Sequence, residues 1–407
     1  MNIVNNKVSP PPDVPDLFSD PFHGDQYSTY RSLREQQSVC RAQYTTDSPA
    51  WLVTTYDESK TLLQDNRLQR NDCGIAAGES LPKAAIPEGI QRYFENILAR
   101  RDTPHHTRLR KVVARHFTAQ HVRALRPRIT RVIDQAVDRL GEHDGSVDLM
   151  EHFADPLPAR VLGELLDLDP EDRDDLVVHT QAVRTNRPDQ PDDPLRPMVD
   201  FASRLLRLRR EKPGDDLVSD MVRAHDEGRL DETELLTLLI SLLLAGLDAT
   251  SSLIGTAVYT LLTHPRQLEL LRRQPALTTP AVEEVLRYRC PLELAARRFT
   301  QEPVEVDGVR IPQGQTVQVV LAAANRDPQR FPDPDRFDIT RQDTSHLAFG
   351  YGAHFCVGAP LGRAVAEIAL TALVQRFPGL ALAACPAEIT WRPSFLRAPT
   401  ELSVRLR

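Results

Sequence analysis

The pattern of apolar and polar positions predicts many helices and two short β-prone regions. Residues Trp51–Tyr56 (WLVTTY) are β-prone and follow a Ser-Pro turn signal, which predicts an early hairpin with the segment near Cys40. A second β region contains the turn Asp307-Gly308. Its strands are expected at Val304–Val306, Val309–Ile311 and Thr316–Leu321. Helical periodicity dominates elsewhere, so the expected fold class is mainly α, with small β-sheets.

One segment, Leu235–Leu262, is almost continuously apolar and long enough to span a bilayer. Asp248 lies near its middle, where a charge is costly in lipid. The residues Asp231 and Glu234 are spaced as a capping box, and His264-Pro265 ends the apolar pattern. We therefore expect a long helix in the core of a globular protein rather than a membrane span.

Two other segments are polar and rich in proline. Residues 1–20 are expected to be irregular, and Arg184–Pro197 is expected to be a mobile loop that could act as a lid. No internal repeat or shift in composition divides the chain, which favours a single domain over residues 1–407.

Charge and cysteine usage exclude several classes of protein. A net charge of -7 gives no electrostatic reason for the whole chain to bind nucleic acid or an anionic membrane. The five cysteines are scattered and never spaced as CxxC, so neither a disulfide framework nor a zinc site is indicated. The N-terminal residues show no signal peptide and no membrane anchor. A soluble, cytoplasmic protein is expected.

The segment FGYGAHFCVG, which ends at Gly358, places Cys356 just before an amphipathic helix that runs through about Phe377. Backbone N–H groups and the helix dipole favour a thiolate there, and a thiolate is an electron-rich ligand for a haem iron. Gly352 permits a tight turn, and Phe349 can shield the sulfur from solvent. A buried structural cysteine beside a glycine-rich turn is the alternative, and the fixed spacing of these residues favours a ligand.

This segment resembles the haem-ligand loop of the cytochrome P450 monooxygenases. Five residues occupy the family's positions: Phe349, Gly352, His354, Cys356 and Gly358. The resemblance extends over essentially the whole chain and implies the P450 fold, with haem b as cofactor and Cys356 as the ligand of its iron.

A second resemblance is the ExxR pair, Glu284 and Arg287, one helical turn apart. In the family a proline-rich meander is locked to this pair and braces the cysteine loop. The resemblance assigns Arg336 in that meander to the brace, as a structural residue.

The segment HHTRLRKVVARHF predicts a helix with His106 and Arg110 on one side. The resemblance implies that four residues contact the haem propionates: His106, Arg110, Arg298 and His354. Arg297 is a less favoured substitute for Arg298. The cations Arg108, Lys111 and Arg115 lie on the opposite side, where a solvated helix face and a docking patch for an acidic redox partner remain equally open.

The residues Ala245–Thr250 (AGLDAT) resemble the family's oxygen-activating stretch in the long helix. The resemblance makes Asp248, Ala249 and Thr250 the candidate catalytic positions, but Ala249 stands where most members carry a proton-relay threonine. Thr250 is rotated by about 100° around the helix and should face away from the iron in a regular helix. Three interpretations follow: protons arrive through water and a substrate hydroxyl, which we prefer; Thr250 substitutes through a helix distortion; or the reaction is atypical.

The family's layout also implies which residues line the substrate pocket. These are the loop from about Cys73 to Gln91, Leu243, Ala245, Ala249, Leu294, Ala295, Ala296, and the turn Ser394–Leu396 with Phe395. The small residues hint at a roomy pocket for a bulky natural product, although packing needs could explain the same alanines.

The resemblance implies a monooxygenase that inserts one oxygen atom from O2 into a C–H bond, by hydroxylation or epoxidation. Electrons are expected from an NAD(P)H-dependent ferredoxin reductase through a ferredoxin, because the chain has no flavin or nicotinamide motif of its own. A monomer is expected. The alternatives are peroxide-driven or oxidative-coupling chemistry and, from another class, a non-enzymatic haem sensor.

Overall fold

The structure is a computed structural model that describes residues 25–45, 48–70, 97–185, 195–392, 394 and 396–407. Helices form most of this part of the chain. In chain order they are α1 Gln26–Gln36, α2 Tyr56–Gln64, α3 His105–Val113, α4 Ala119–Gly141, α5 Leu157–Leu165, α6 Pro170–Thr185, α7 Arg196–Glu211, α8 Leu217–Asp226, α9 Glu232–Thr263, α10 Pro265–Arg273, α11 Thr278–Tyr288, α12 Leu321–Ala324 and α13 Ala359–Arg376.

The strands form small sheets at the side of the helical body. In chain order they are β1 Val39–Thr45, β2 Ser48–Val53, β3 Leu68–Gln69, β4 Ser146–Asp148, β5 Arg298–Thr300, β6 Val304–Val306, β7 Val309–Ile311, β8 Thr316–Val319, β9 Ala381–Leu382 and β10 Ser403–Arg405. The largest sheet has the order β1-β2-β8-β5-β3, in which β2 and β8 are parallel and the other pairs are antiparallel. This sheet brings Arg298 on β5 close to the residues that follow α2.

The long helix α9 lies at the centre of the helical body and contacts α5, α7 and α13. Its capping box forms as expected: the Asp231 carboxylate accepts from the Glu234 amide, and the Glu234 carboxylate accepts from the Asp231 amide. Among the described residues, α9 is the one helix long and apolar enough to cross a membrane, yet more than half of its most apolar stretch is buried within the molecule. Its placement is that of a core helix.

Several predicted boundaries shift by a few residues. The early hairpin forms between β1 and β2, but its second strand ends at Val53 and Tyr56 already begins α2. The strand expected to reach Leu321 ends at Val319, because Leu321 starts α12. The predicted hairpin of β6 and β7 is confirmed residue for residue.

The predicted loop Arg184–Pro197 is shorter than expected. Its first two residues continue α6 and its last two open α7, where Pro197 is compatible with the first helical turn. Residues 186–194 and the predicted irregular segment 1–20 lie outside the described part of the chain.

Candidate active site

The cysteine loop is held in a compact turn that ends at the first turn of α13. The Cys356 amide donates to the Phe349 carbonyl at 2.8 Å, and the Phe355 amide donates to the Gly352 carbonyl at 3.0 Å. Gly352 has φ +75°, and a Cβ there would lie 3.1 Å from the Leu63 carbonyl, so both conformation and space require glycine. A Cβ on Gly358 would point into the space beside Cys356 and lie 3.9 Å from its Sγ. The loop therefore leaves room next to the sulfur.

The electrostatics of Cys356 depend on what that space holds. Burial raises the pKa of the Cys356 thiol, although the amides of Gly358 and Ala359 and the guanidinium of Arg110 lower it. The helix terminus therefore favours the thiolate as expected, but it does not outweigh burial on its own. A metal cation at Sγ would displace the proton, since ligation of a thiolate couples to its deprotonation.

Beside this loop lies a cluster of basic side chains from four segments. The rings of His106 and His354 lie with their centroids 4.0 Å apart. Burial, reinforced by Arg110 and Arg70, lowers the pKa of His106 to about 4. Burial, with Arg70 and His106 as the next causes, lowers the pKa of His354 to about 2. Arg298 belongs to the same cluster, so all four predicted propionate ligands come together.

Arg70 is a fifth member of the cluster, and sequence reasoning missed it. Burial and the nearby Arg298 lower its pKa to about 9, despite Asp102. It stands alone after a short strand, without a local motif that would have identified it. Arg70 joins the cluster because β3 pairs with β5, which places the end of β3 beside Arg298.

The cluster fits an anionic group. The Nε atoms of Arg70 and Arg298 are buried and have no hydrogen-bond partner among the described residues. The carboxylates that act on Arg298 are Asp102 and Asp65, and Asp65 is already bonded to Arg67. The positive charges of Arg70, Arg110 and Arg298 therefore exceed the negative charge of the nearby carboxylates. Because buried charges need partners, this excess suits the two propionate carboxylates of a haem.

The long helix α9 opens at its middle. Ala245 and Gly246 are exposed, whereas most of the helix is buried, and no heavy atom would lie within 4 Å of a Cβ on Gly246. Asp248, Ala249 and Thr250 are partly exposed on the next turn. We call the space beside this open side of α9 the groove.

The helix is regular α-helix along its whole length, with no distortion at this stretch. Thr250 is therefore turned by about 100° from Ala249, as in an ideal helix. The interpretation in which Thr250 takes the place of the missing threonine through a distortion finds no support here.

The pocket residues divide into two groups. Ala245, Ala249 and Ala296 have accessible surface, whereas Leu243, Leu294 and Ala295 are buried. Leu243 has no accessible surface because it lies on the core side of α9, so the structure corrects its assignment to the pocket. Leu294 and Ala295 are tied to the end of β8 by backbone pairing, which turns the neighbouring Ala296 outward. Phe395 and the loop Cys73–Gln91 lie outside the described residues.

The brace behind the cysteine loop is built around Glu284 and Arg287, both almost completely buried. The Arg287 guanidinium donates twice to Glu284, at 2.8 Å each. It also donates to the carbonyls of Asn325, Pro334 and Arg336 in the meander. One buried guanidinium thus joins α11 to the segment that leads to Cys356.

The side chain of Arg336 is not part of this brace. It is 66% exposed and pairs with Asp338, and only its backbone carbonyl meets Arg287. Arg341, which is 12% exposed, turns inward instead and lies 3.3 Å from Glu284. The assignment to Arg336 is therefore corrected to Arg341, since the path of the meander decides which guanidinium reaches the pair.

The outer face of α3 is largely engaged within the molecule. Arg108 pairs with Glu234 and donates to the Arg229 carbonyl, and Arg115 pairs with the buried Asp220. Arg108 connects α3 to α9, and Arg115 connects the turn after α3 to α8. Of the three cations considered for a docking patch, only Lys111 is exposed with no ion pair among the described residues.

Comparison with known proteins agrees with this geometry. The family model described as Cytochrome P450 matches residues 179–404. The chain is 44% identical to 6-deoxyerythronolide B hydroxylase of Saccharopolyspora erythraea, over 97% of this chain and 99% of that protein. It is 43% identical to cytochrome P450 monooxygenase PikC of Streptomyces venezuelae, over 95% of this chain and 92% of that protein.

A solved structure of the Bacillus subtilis bacillaene polyketide synthase cytochrome P450 PksS superposes with a TM-score of 0.86. The identity is 34%, and the match covers 96% of this chain and 98% of that one. Likeness of this extent shows the fold and the class of reaction. The chain belongs to the cytochrome P450 family and is an oxygen-incorporating oxidoreductase of the monooxygenase class.

Proposed function

We propose that this chain, acting as one catalytic domain over residues 1–407, is a haem b monooxygenase that hydroxylates or epoxidises a bulky natural product. Its electrons come from a ferredoxin and an NAD(P)H-dependent ferredoxin reductase, and it works as a cytoplasmic monomer. The observation that carries the proposal is the loop of Cys356 beside a cluster of three under-compensated arginines. A thiolate and a group of propionate partners on one side of a cleft are what haem requires.

When bound, the haem supplies the one-electron and dioxygen chemistry, and the protein supplies its position and surroundings. Cys356 holds the iron. His106, Arg110, Arg298 and His354 hold the propionates, and Arg70 joins them. The anionic propionates offset the mutual repulsion that lowers the pKa of the basic groups in this cluster.

The substrate class is inferred from the small residues and from the relatives. Ala245, Gly246 and Ala296 expose little side chain to the cleft, which leaves volume for a large ring. Two relatives carry names that refer to macrolide or polyketide chemistry, 6-deoxyerythronolide B hydroxylase and polyketide biosynthesis cytochrome P450 PksS. We therefore propose a polyketide or macrolide-like compound made in secondary metabolism.

Proton delivery sets this chain apart from members with the usual threonine. Ala249 has no hydroxyl, and the regular helix turns Thr250 away from it. We propose that water held near Asp248 carries protons into the groove and that a hydroxyl of the substrate completes the path. Asp248 orients this water and exchanges protons with it.

The first test is a spectrum of the haem-loaded protein. The ferrous CO complex should show the far red-shifted Soret band of thiolate ligation, and Cys356→Ala should abolish that band. Cys385→Ala is the matched control, because this exposed cysteine lies outside the site. A wild-type spectrum without the thiolate band would refute the assignment of Cys356.

The second test concerns the reaction. Purified protein is incubated with a panel of macrolide aglycones and related polyketides, once with ferredoxin, reductase and NADPH and once with peroxide alone. Oxygenated product in the first incubation supports the proposal, and product with peroxide alone favours the peroxide-driven alternative. Absence of product from both incubations, with a normal CO spectrum, favours a haem sensor.

A further inference from the structure

Ser252 lies on the groove face of α9, one turn beyond the position where the hydroxyl is missing. With about 100° per residue, Ser252 is about 40° around the helix from Asp248, between Asp248 and Ala249. Ala245, about two turns before Ser252, points in nearly the same direction and is exposed. Ser252 therefore lies on the same side of the helix as Ala245, Asp248 and Ala249, at the first turn where that side is buried.

The hydroxyl of Ser252 is buried and has no partner among the described residues. Among the other hydroxyls of this helix, Ser241 donates to the Thr237 carbonyl at 2.7 Å and Thr260 donates to the Thr256 carbonyl at 2.6 Å. The Thr237 hydroxyl is also buried without a partner among the described residues, but it lies more than three turns before Ala249, whereas Ser252 lies one turn after it. The neighbouring Ser251, about 100° around the helix from Ser252, donates to Asp155. Leaving a buried hydroxyl without a hydrogen bond costs stability, so its presence at this place calls for an explanation.

The direction of the side chain gives that explanation. The Cα–Cβ bonds of a helix tilt toward its N-terminus, so the Ser252 side chain covers the turn that contains Asp248 and Ala249. A rotation about χ1 moves its Oγ toward the closed end of the groove without a change in the backbone.

We propose that Ser252 is the proton-relay hydroxyl of this enzyme and serves the groove in place of a threonine at position 249. This inference rests on the proposed function and deepens it, since it names the protein group that feeds the water near the substrate. The structure thus assigns a role to a residue outside the AGLDAT stretch.

The relay conserves atoms. Ser252 Oγ accepts a proton from water associated with Asp248 and releases its own hydroxyl proton to water in the groove, so the residue is unchanged after each transfer. The whole reaction consumes one substrate molecule, O2, two electrons from the proposed ferredoxin and two protons, and it yields the oxygenated substrate and one water. Only the route of the protons differs from that of a threonine-bearing relative.

The test uses the haem-loaded full chain and needs no substrate. Ferrous protein is mixed with air-saturated buffer, and its return to the ferric form is followed in H2O and in D2O. Each return releases one electron with dioxygen as protonated superoxide and consumes one proton. The variants are Ser252→Ala, Ser252→Thr, and Ser251→Ala as the matched control at the adjacent serine, whose hydroxyl is bonded to Asp155.

We expect Ser252→Ala to slow the return by at least about tenfold and to change its solvent isotope effect, as loss of a positioned proton donor does. Ser252→Thr, which keeps a hydroxyl, should restore most of the rate, and Ser251→Ala should stay within about twofold of wild type. A purely structural role would not produce this rescue. If Ser252→Ala takes up no haem, Ser252→Cys is compared with Ser252→Thr by the same readings.

Two negative results are distinguishable. A wild-type protein without the thiolate CO band overturns the proposed function and this inference with it. A normal band together with a Ser252→Ala rate and isotope effect equal to those of wild type overturns this inference alone.

Discussion

At the scale of single residues, Glu293 shows how strongly burial changes an acid. Its carboxylate accepts from the Gln26 amide at 2.7 Å and from the Tyr30 hydroxyl at 3.2 Å. Burial raises its pKa from 4.5 to about 7, and the nearby Arg397 and Arg289 offset only part of this rise. Glu293 stands between Leu292 and Leu294 in the segment that leads to Ala296. Its protonation state therefore bears on the wall of the pocket.

We predict that Glu293→Gln makes stability less dependent on pH. Because the folded protein binds this proton more tightly than the unfolded chain, the stabilisation is complete below pH 4.5 and is lost as pH rises through 7. The full loss amounts to about 3 kcal/mol. The glutamine variant keeps the shape and cannot ionise, so it should lack this decline.

Urea unfolding of the haem-loaded protein at pH 5 and pH 8 measures the effect. Glu305→Gln, at an exposed position of β6, is the control and should follow wild type. Parallel pH curves for Glu293→Gln and wild type would show that Glu293 does not titrate in this range.

At the scale of elements, α9 combines a core helix with one wall of a reaction groove. Leucines on its core side contact other helices, and small residues open the opposite side for one turn and a half. Gly246 weakens the helix by about 1 kcal/mol relative to alanine. Burial of the apolar faces of α9 offsets this cost. At Gly255, farther along, a side chain would collide with Met150, so the two glycines serve different needs.

We predict that Ala249→Thr does not raise the coupling of oxygen consumption to product. In the proposed route protons pass through water, the substrate hydroxyl and Ser252, and extra atoms at position 249 would crowd the substrate and water. Coupling is measured as product formed per NADPH, with a substrate found in the panel. Thr250→Ala should leave coupling unchanged, because Thr250 faces away. A clear gain for Ala249→Thr would contradict the proposed route.

At the scale of the whole molecule, a buried ion pair connects the helical body to the haem site. Arg287 reaches three carbonyls of the meander that no other described side chain reaches together. Its five N–H donors in a planar fork suit this arrangement, and lysine cannot reproduce it. The meander continues directly to Phe349 and Cys356, so its position determines where the sulfur lies.

We predict that Arg287→Lys lowers stability by about 3 kcal/mol or more and lowers haem content, because Glu284 and the meander carbonyls lose partners. Arg336→Ala should change stability by about 0.5 kcal/mol or less, since its side chain is exposed. Urea unfolding and the ratio of Soret to protein absorbance measure both. If the two variants lowered stability and haem content equally, the side chain of Arg336 would be part of the brace after all.

Local patterns in the sequence were sufficient wherever structure depends on residues close together in the chain. The capping box of α9, the β6–β7 hairpin and the cysteine turn at Gly352 belong to this group, because their hydrogen bonds and dihedral preferences act over a few residues. The motif around Cys356 was likewise sufficient to predict the family and the class of reaction.

Only the tertiary structure decided which distant side chains meet. In the folded chain Arg341, and not Arg336, reaches the Glu284–Arg287 brace, and Arg70 joins the basic cluster. Arg108 and Arg115 form internal ion pairs, and Leu243 lies in the core. Each outcome depends on how sheets and helices separated by tens to hundreds of residues pack, and side-chain spacing within one segment carries no information on that. The Ser252 hydroxyl is of the same kind, because a missing hydrogen bond becomes visible only when all its neighbours are in place.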